Sequence, residues 1–212
     1  TAFMLWQVMG LRAETTLEKM VPLQHEYIKN LLKHKDDLGL GNDIKVAIEV
    51  KKGDIFDPQY LETVKNVTDE VFYFPGVDRS KLKSLWTPTV RWSEVTKDGF
   101  QGGEVTQGYD GTAQGMDVLR SNILRSGQVG RLVADDFKST IVQIPLLEGE
   151  KINYKDLSEK LEEMRSKFET QNPNVEIHIV GFAKKVGDLI EGASKIAFFF
   201  LAAAIITFLL LL

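Results

Sequence analysis

Cysteine is absent from the 212 residues, and its absence removes two kinds of site. Without thiols the chain forms no disulfide and holds no thiolate-bound metal, and either an oxidising or a reducing compartment would suit it. The three histidines lack the spacing of metal ligands: His25, His34 and His178. The acidic pair Asp135 and Asp136 fits a solvated turn better than a calcium site. We therefore expect no metal and no cofactor.

An excess of positive charge is also missing, because the formal net charge is -4 and the pI is about 5.5. Proteins that bind nucleic acids neutralise phosphates with clustered Lys and Arg, so we expect no nucleic-acid partner. The glycine-containing stretches GLGND and QGGE lack the following Lys and Ser or Thr of a phosphate-binding loop. No GxSxG motif marks a nucleophile, although triads can also assemble from distant residues. We predict that the chain is not an enzyme.

Long hydrophobic runs occur only at the two ends of the chain. The segment from Ile196 to Leu212 carries no charge, and its roughly 17 residues cover most of a hydrocarbon core. It also lacks the polar stripe that a buried helix of a soluble domain would need. Thr1–Met9 is shorter and fits the end of another span or a buried N-terminal segment. We expect residues 1–10 and 193–212 to belong to membrane spans, with residues 11–192 outside the membrane.

The first half of the extramembrane part predicts a helix, a strand, a second helix and a second strand. An apolar stripe follows Pro22, and apolar residues alternate from Ile44 to Val50, as in a half-buried strand. Asp57 before Pro58 predicts a helix N-terminus, and this helix should end at the turn FPGV. A strand is expected within Leu85–Val95, and the glycine-rich stretch 97–111 predicts a loop or a small hairpin.

The second half repeats this order. Thr112 predicts the cap of a helix that ends near Gly127, and a nearly continuous apolar run predicts a strand over Ser139–Leu147. Asn153 begins another helix, and the alternation in VEIHIV, starting at Val175, predicts the last strand. Corresponding starts and turns of the two halves lie about 96 to 98 residues apart. This similarity fits an internal duplication, and also any two βαβ units.

We therefore predict an α+β fold with a ferredoxin-like βαβ-βαβ arrangement and an inserted helix. Its two βαβ subdomains are expected at about residues 42–96 and 112–181, and transmembrane helices flank the domain. One face of such a sheet is covered by helices. The other face is expected to contact another domain.

Aromatic residues are dense in the connections between the predicted elements. Core packing explains many of them, but an aromatic-lined cleft for an apolar ligand is the sharper interpretation. The residues that we predict to bind such a ligand are Phe74, Trp86, Trp92 and Phe100.

Several segments of the chain resemble the first extracytoplasmic loop and second span of resistance-nodulation-division (RND) transporters. They are LRAETTLEKMVPLQHEYIKN, NDIKVAIEV, FPGVD, SLWTPTV and the final VEIHIVGFAKKVGDLIEGASKIAFFFLAAAIITFLLLL. The chain is most similar to the exporters of hydrophobes and amphiphiles, which are related to mycobacterial lipid exporters and hopanoid transporters. The resemblance covers essentially the whole chain, but its motifs are short.

The resemblance implies a periplasmic porter domain of a proton-driven exporter in the bacterial inner membrane, with a lipid or amphiphile as substrate. It implies further spans and a second porter segment as partners, and leaves room for a homo-oligomer and a periplasmic accessory protein. The family's proton-relay positions lie in spans outside this chain. In this picture Gly181, Gly187 and Gly192 would form a hinge between the last strand and the second span, although ordinary turn geometry explains them equally well.

Two other classes of protein also fit the pattern. The extracytoplasmic sensor of a two-span receptor places an α/β domain between two spans, and a signalling module follows the second one. A membrane-anchored structural or assembly module is the third possibility.

Overall fold

The computed structural model describes residues 25–33, 43–97, 99–147 and 152–210. The chain divides into two compact units, one of residues 42–187 and one of residues 1–41 with 188–212. The predicted first span, residues 1–10, lies outside the described residues. The helix expected from Pro22 is described only as α1, Glu26–Lys33.

The unit of residues 42–187 has a mixed content of helices and strands, which confirms the predicted α+β class. Its elements are β1 (Asp43–Val50), α2 (Pro58–Phe72), β2 (Arg91–Thr96), β3 (Gly99–Glu104), α3 (Ala113–Arg125), β4 (Ser139–Pro145), α4 (Tyr154–Gln171) and β5 (Val175–Gly181). A final helix, α5 (Phe182–Leu210), begins directly after β5.

Three helices begin at the predicted caps. The side chain of Asp57 accepts the N–H of Tyr60 at 2.9 Å, ahead of a proline at the start of α2. Thr112 caps α3, and Asn153 caps α4, each through its side-chain oxygen. Each cap satisfies a backbone donor that has no partner within its own helix. Local sequence chemistry therefore fixes where these helices start.

The main sheet has the order β4-β1-β5, and β1 is antiparallel to both neighbours. In the central register Ile48 lies opposite Thr140 on one side and Ile177 on the other. Alternate residues of β1 are fully buried, as the sequence predicts: Ile44, Val46, Ile48 and Val50. Helices α2 and α4 supply further members of the same core cluster. Strands from both predicted halves therefore share one sheet.

The outer edge of β4 is covered by an irregular segment and not by the predicted strand. Isolated bridges join Val77 to Leu146 and Lys83 to Gln143, and the last pair exchanges two backbone hydrogen bonds of 2.8 and 3.1 Å. The strand expected within Leu85–Val95 is present as β2, but it pairs with β3 and not with the main sheet. Pro88 has no N–H to donate to a ladder, and β2 begins only after it, at Arg91.

The stretch 97–111 was predicted to be a loop or a small hairpin, and the hairpin is confirmed. Strands β2 and β3 form a separate antiparallel two-stranded sheet. Val95 and Phe100 face each other near its turn, and both are largely exposed, at 73% and 86%. This hairpin and α3 lie between the two halves of the main sheet in sequence.

The face of the main sheet opposite α2 and α4 carries exposed polar residues. Glu49 on β1 lies beside His178 on β5, with 3.2 Å between a carboxylate oxygen and the ring nitrogen Nε2. Lys45 and Val180 are also exposed on this face. Among the described residues, helices cover one side of the sheet, and the domain expected against the other side stays a prediction.

Helix α5 has two different parts. Its first turns belong to the unit of residues 42–187, where Ala183 and Val186 are buried. Its later part exposes a run of large apolar side chains: Ile196, Phe198, Phe199, Phe200, Leu201, Ile205, Ile206, Phe208, Leu209 and Leu210. Among the described residues, α5 is the one helix long and apolar enough to cross a membrane. This matches the span expected from residue 193 onward.

Candidate functional site

A groove of about 550 Å³ lies beside the C-terminal end of α2. Its volume falls within the range of small-molecule sites, roughly 300 to 1,000 Å³. Its wall combines apolar, aromatic and charged side chains: Thr68, Asp69, Phe72, Tyr73, Arg79, Leu82, Trp86, Thr87, Pro88 and Thr89. All of these residues come from one continuous stretch of about 20 positions. The motif SLWTPTV contributes four of these residues, and the lining residues Tyr73 and Arg79 flank the motif FPGVD. We call this pocket the α2 groove.

The turn after α2 shapes one side of the α2 groove. Gly76 has a positive φ of 78°, and a side chain there would meet Ile152 at 2.9 Å, so the sharp turn requires glycine. The chain then returns along α2, and Arg79 donates from Nε to the carbonyl oxygen of Phe72 at 2.9 Å. The Arg79 guanidinium also lies over the Phe72 ring, 5.4 Å from its centroid. Arg79 thereby caps the last turn of α2.

The opposite side is the segment SLWTPTV. Ser84 is fully buried, accepts a hydrogen bond from Thr68 on α2 at 3.0 Å, and exchanges backbone and side-chain bonds with Thr87. Trp86 packs edge-on against Tyr109 with 5.9 Å between ring centroids. The Nζ atom of Lys65 lies 5.8 Å from the centroid of the Trp86 ring. The aromatic wall is therefore held in place by buried hydroxyl contacts with α2.

Charges of both signs lie in and around the α2 groove. Arg79 and Asp69 line the groove itself, and Lys65 lies one helical turn before Asp69, above Trp86. Among the described residues, Arg79 contacts only the carbonyl and ring of Phe72, so its two terminal nitrogens have no acceptor. The groove therefore offers an apolar wall, against which an apolar ligand could pack, and a guanidinium that can accept further hydrogen-bond partners.

Two titratable groups near the groove have perturbed pKa values. Hydrogen bonds from Ser80, with the nearby Lys81, hold the pKa of Asp78 below its ordinary value. Burial raises the pKa of the Tyr109 hydroxyl, and the carboxylates of Asp57, Asp110 and Glu62 add to this effect. Neither group lines the groove.

The structure brings one of the four predicted binding residues, Trp86, to the α2 groove. Phe74 directly follows the groove residue Tyr73 in sequence, but it is 8% exposed and belongs to the core cluster. Trp92 and Phe100 lie on the β2–β3 hairpin and do not line this groove. The four predicted residues therefore do not share one wall, and their role in binding stays a prediction.

The sequence reasoning missed the charged residues of the groove. Arg79 is the residue directly after the FPGVD turn. Asp69 lies within α2 among other charged residues, and its sequence context does not distinguish it from a solvent-exposed side chain. The available signal was the turn itself, because a tight Pro-Gly reversal returns the chain along the helix that precedes it. Phe72 and Tyr73, at the C-terminal end of α2, were not among the predicted residues, and both line the groove.

The β2–β3 hairpin is attached to α3 through Arg125. The guanidinium of Arg125 lies 4.0 Å from the centroid of the Trp92 ring and bonds Glu94 at 2.8 Å. It also bonds the side chain of Asn122 at 2.8 Å, and Asn122 donates to the carbonyls of Val105 and Gln107. Arg125 therefore attaches β2 to α3, and Asn122 attaches the segment that follows β3.

Replacing Arg125 by alanine is expected to loosen the hairpin without unfolding the domain. The loss of one stacking contact and one ion pair, about 1 kcal/mol together, should speed amide exchange in residues 91–104 about fivefold. Hydrogen exchange followed by mass spectrometry measures this local effect. The matched control is Arg131→Ala, an exposed arginine outside these contacts. Equal exchange rates in the two variants would show that Arg125 does not hold the hairpin.

The three glycines predicted to form a hinge occupy different environments. A side chain on Gly181, which has a φ of 155°, would approach the carbonyl oxygen of Asp43 at 2.7 Å. A side chain on Gly187 would lie 2.4 Å from Cβ of Ser158, whereas Gly192 has open space around it. Close packing therefore explains the absence of a side chain at Gly181 and Gly187. Their role as hinges stays a prediction.

Within the described ranges, no group of three or more His, Asp or Glu side chains is arranged to hold a metal ion. His178 contacts Glu49 at 3.2 Å, with Glu176 at 4.0 Å, on the exposed face of the sheet. This cross-strand contact is an exposed hydrogen bond between side chains.

No family model matches the chain. Over 75 residues, which cover 32% of its length, the chain is 29% identical to a protein of Methanocaldococcus jannaschii named "Putative membrane protein MJ1562". The chain spans about a fifth of the length of this relative, 19%. Together with the apolar helix α5, this similarity indicates association with a membrane.

Proposed function

We propose that this chain is the periplasmic porter domain, with part of the adjoining spans, of an RND-type exporter in the bacterial inner membrane. The exporter would use the proton gradient to move lipids or other amphiphiles. The observation that carries the proposal is the direct continuation of the sheet domain into α5, combined with an aromatic groove on the same domain. The chain would bind the substrate, and the residues that couple transport to protons would lie in other segments of the protein.

The strand arrangement supports the ferredoxin-like part of the proposal. The order β5-β1-β4 is completed on the far side of β4 by the bridged segment between Val77 and Lys83. This segment lies where the second strand of a βαββαβ sheet would lie, with α2 before it and α4 between β4 and β5. The hairpin and α3 are then an insertion between the two βαβ halves. The strand order of this chain is therefore compatible with the ferredoxin-like fold that the proposal requires.

The start of α5 provides a route for mechanical coupling. Lys184 is 8% exposed and bonds Glu162 on α4 at 2.8 Å, while Gly187 fits closely against the first turns of α4. No flexible linker separates β5 from α5, because Phe182 follows Gly181 directly. A displacement of the apolar part of α5 would therefore act on the domain through packed side chains. This is the behaviour that a porter domain driven by its membrane helices needs.

The proposal also assigns partners. Further spans and a second porter segment of the same protein would complete the transporter, and a homo-oligomer or a periplasmic accessory protein would cover the exposed sheet face. The chain itself would carry out no chemical reaction and hold no cofactor. An extracytoplasmic sensor would share the coupling through α5, but it would pass the movement to a signalling module and would not move its ligand across the membrane.

Transport by the full-length protein in proteoliposomes tests this function. With an imposed pH gradient, we expect a fluorescent lipid analogue to move in a direction that reverses with the gradient, and to stop moving when a protonophore is added. Replacing Tyr73 by alanine should lower the rate severalfold, because Tyr73 is an exposed wall residue of the groove. The matched control is Leu124→Ala, which removes an exposed apolar side chain on α3.

Lipid movement that does not depend on the gradient, or no movement at all, would contradict the exporter. A ligand-dependent change in a cytoplasmic signalling module would then favour the sensor.

A further inference from the structure

The α2 groove distinguishes the two ends of an amphiphile. Apolar and aromatic side chains form most of its wall, and Leu82 closes its floor at 3% exposure. Tyr73 stands at its rim, 74% exposed, where one end of the groove is open to solvent. An apolar chain bound along this wall would be removed from water. The polar end of the same molecule would then lie among the charges at the rim.

Arg79 is the charged group with unused binding capacity at this rim. Its Nε–H is occupied by the carbonyl oxygen of Phe72, and the stacked Phe72 ring fixes the plane of the guanidinium. The two terminal nitrogens still have donors to offer, and a guanidinium matches carboxylate and phosphate oxygens in geometry. Because one contact already orients the side chain, less rotamer freedom is lost when an anion binds.

The second cation, Lys65, lies above the Trp86 ring and adds positive charge over the aromatic wall. Asp69 opposes this effect, because it lines the same groove and has no ion pair among the described residues. In the lining itself, Arg79 and Asp69 balance each other, and Lys65 adds positive charge beside the Trp86 ring. The preference for a negatively charged headgroup therefore depends on the two terminal nitrogens of Arg79, which can form charge-assisted hydrogen bonds.

We infer that the α2 groove binds an anionic amphiphile, with its apolar chain against Phe72, Tyr73 and Trp86 and its carboxylate or phosphate on Arg79. This inference rests on the proposed function and narrows its substrate class. It also assigns opposite effects to two neighbouring side chains. Arg79 strengthens binding of the headgroup, and Asp69 weakens it.

Quenching of tryptophan fluorescence by a brominated fatty acid tests the inference in the full chain, held in nanodiscs of zwitterionic lipid. Replacing Trp6 and Trp92 by phenylalanine leaves Trp86 as the one indole among these 212 residues. The probes are 9,10-dibromostearate and its methyl ester, which differ in charge and share the brominated chain. Saturable quenching by dibromostearate, above the level that partition into the bilayer gives, reports occupation of the groove.

We expect Arg79→Gln to weaken the binding of dibromostearate by about five- to tenfold, and Arg79→Lys to restore part of it. Asp69→Asn should tighten binding about twofold or more, because it removes the opposing charge. Neither substitution should change quenching by the methyl ester. The matched control is Arg131→Gln, which removes an exposed arginine outside the groove. The thermal unfolding temperature of each variant is compared with that of the parent. Equal temperatures show that the loss of the Arg79 cap on α2 does not cause the change in binding.

Three results would overturn the inference. Equal effects of Arg79→Gln and Arg131→Gln would exclude recognition of the headgroup by Arg79. Weaker binding of dibromostearate in Asp69→Asn would contradict the opposing effect assigned to Asp69. Quenching by neither probe would exclude the groove as the binding site. Gradient-driven lipid transport is measured in a separate assay. A negative result in the quenching experiment therefore overturns the headgroup inference without deciding the exporter proposal.

Discussion

Replacing Gly187 by alanine is expected to destabilise the unit of residues 42–187 by about 1 to 3 kcal/mol. The new methyl group would lie 2.5 Å from the carbonyl oxygen of Tyr154 and 2.4 Å from Cβ of Ser158, so α5 or α4 must shift. Alanine favours a helix over glycine by only about 1 kcal/mol, which does not offset this clash. Thermal unfolding of the full chain in detergent measures the effect.

The chain provides a matched control for this substitution in the same helix. A methyl group on Gly192 would have no heavy atom within 4 Å, so Gly192→Ala should leave stability unchanged or raise it by up to about 1 kcal/mol. Gly187→Ala should also slow lipid transport in the full-length protein, because it disturbs the contact that links α5 to the domain. Two variants of equal stability would show that α5 does not pack on α4 in this way.

Replacing Tyr60 by phenylalanine has the second large expected effect, a loss of about 1 to 3 kcal/mol in the free energy of unfolding. The hydroxyl of Tyr60 is fully buried, donates to the carbonyl of Ile48 at 2.6 Å, and lies 2.9 Å from the hydroxyl of Thr140. It therefore joins α2 to both β1 and β4. Without it, two buried oxygens lose a partner. Urea unfolding measures the loss, and Tyr73→Phe, at an exposed position, is the control.

The same residue predicts a loss of stability at high pH. Burial raises the pKa of the Tyr60 hydroxyl well above its ordinary value near 10. Above that pH the unfolded chain releases the proton and the folded chain retains it, so stability falls as pH rises between the two pKa values. Below pH 10 both states are protonated, and this contribution is constant. The alkaline slope should therefore be shallower in Tyr60→Phe than in Tyr73→Phe, and equal slopes would contradict the account.

Features set by neighbouring residues could be predicted from the sequence, and features set by distant pairing could not. The cap at Asp57 needs only the next few residues, so the start of α2 was predicted correctly. The alternation in β1 likewise identifies its buried face. By contrast, the edge of β4 is covered by a segment about 60 residues earlier in the chain, through bridges at Val77 and Lys83. Such pairing leaves no periodic signal in either segment.

The candidate site shows the same division between local and long-range information. Aromatic density between Phe72 and Trp86 indicated an apolar cleft, because many rings in connecting segments need a surface to pack on. The position of Arg79 depends on the reversal at Gly76, which brings the guanidinium back to the end of α2. The tight fit at Gly187 requires the position of α4, which the sequence around this glycine does not contain. Trp92 and Phe100 were grouped with the cleft because sequence proximity does not distinguish the hairpin from the groove.

Cysteine labelling tests most directly the central claim that the sheet domain stands in the periplasm while α5 crosses the membrane. Because the chain contains no cysteine, each introduced thiol is the one thiol that these 212 residues carry. Ser121→Cys lies on the exposed surface of α3, and Ala204→Cys lies in the apolar part of α5. In cells with a permeable outer and an intact inner membrane, a membrane-impermeant maleimide should label Ser121→Cys and leave Ala204→Cys unlabelled until detergent is added. Labelling of Ala204→Cys in intact membranes, or of Ser121→Cys only after the inner membrane is broken, would contradict the account.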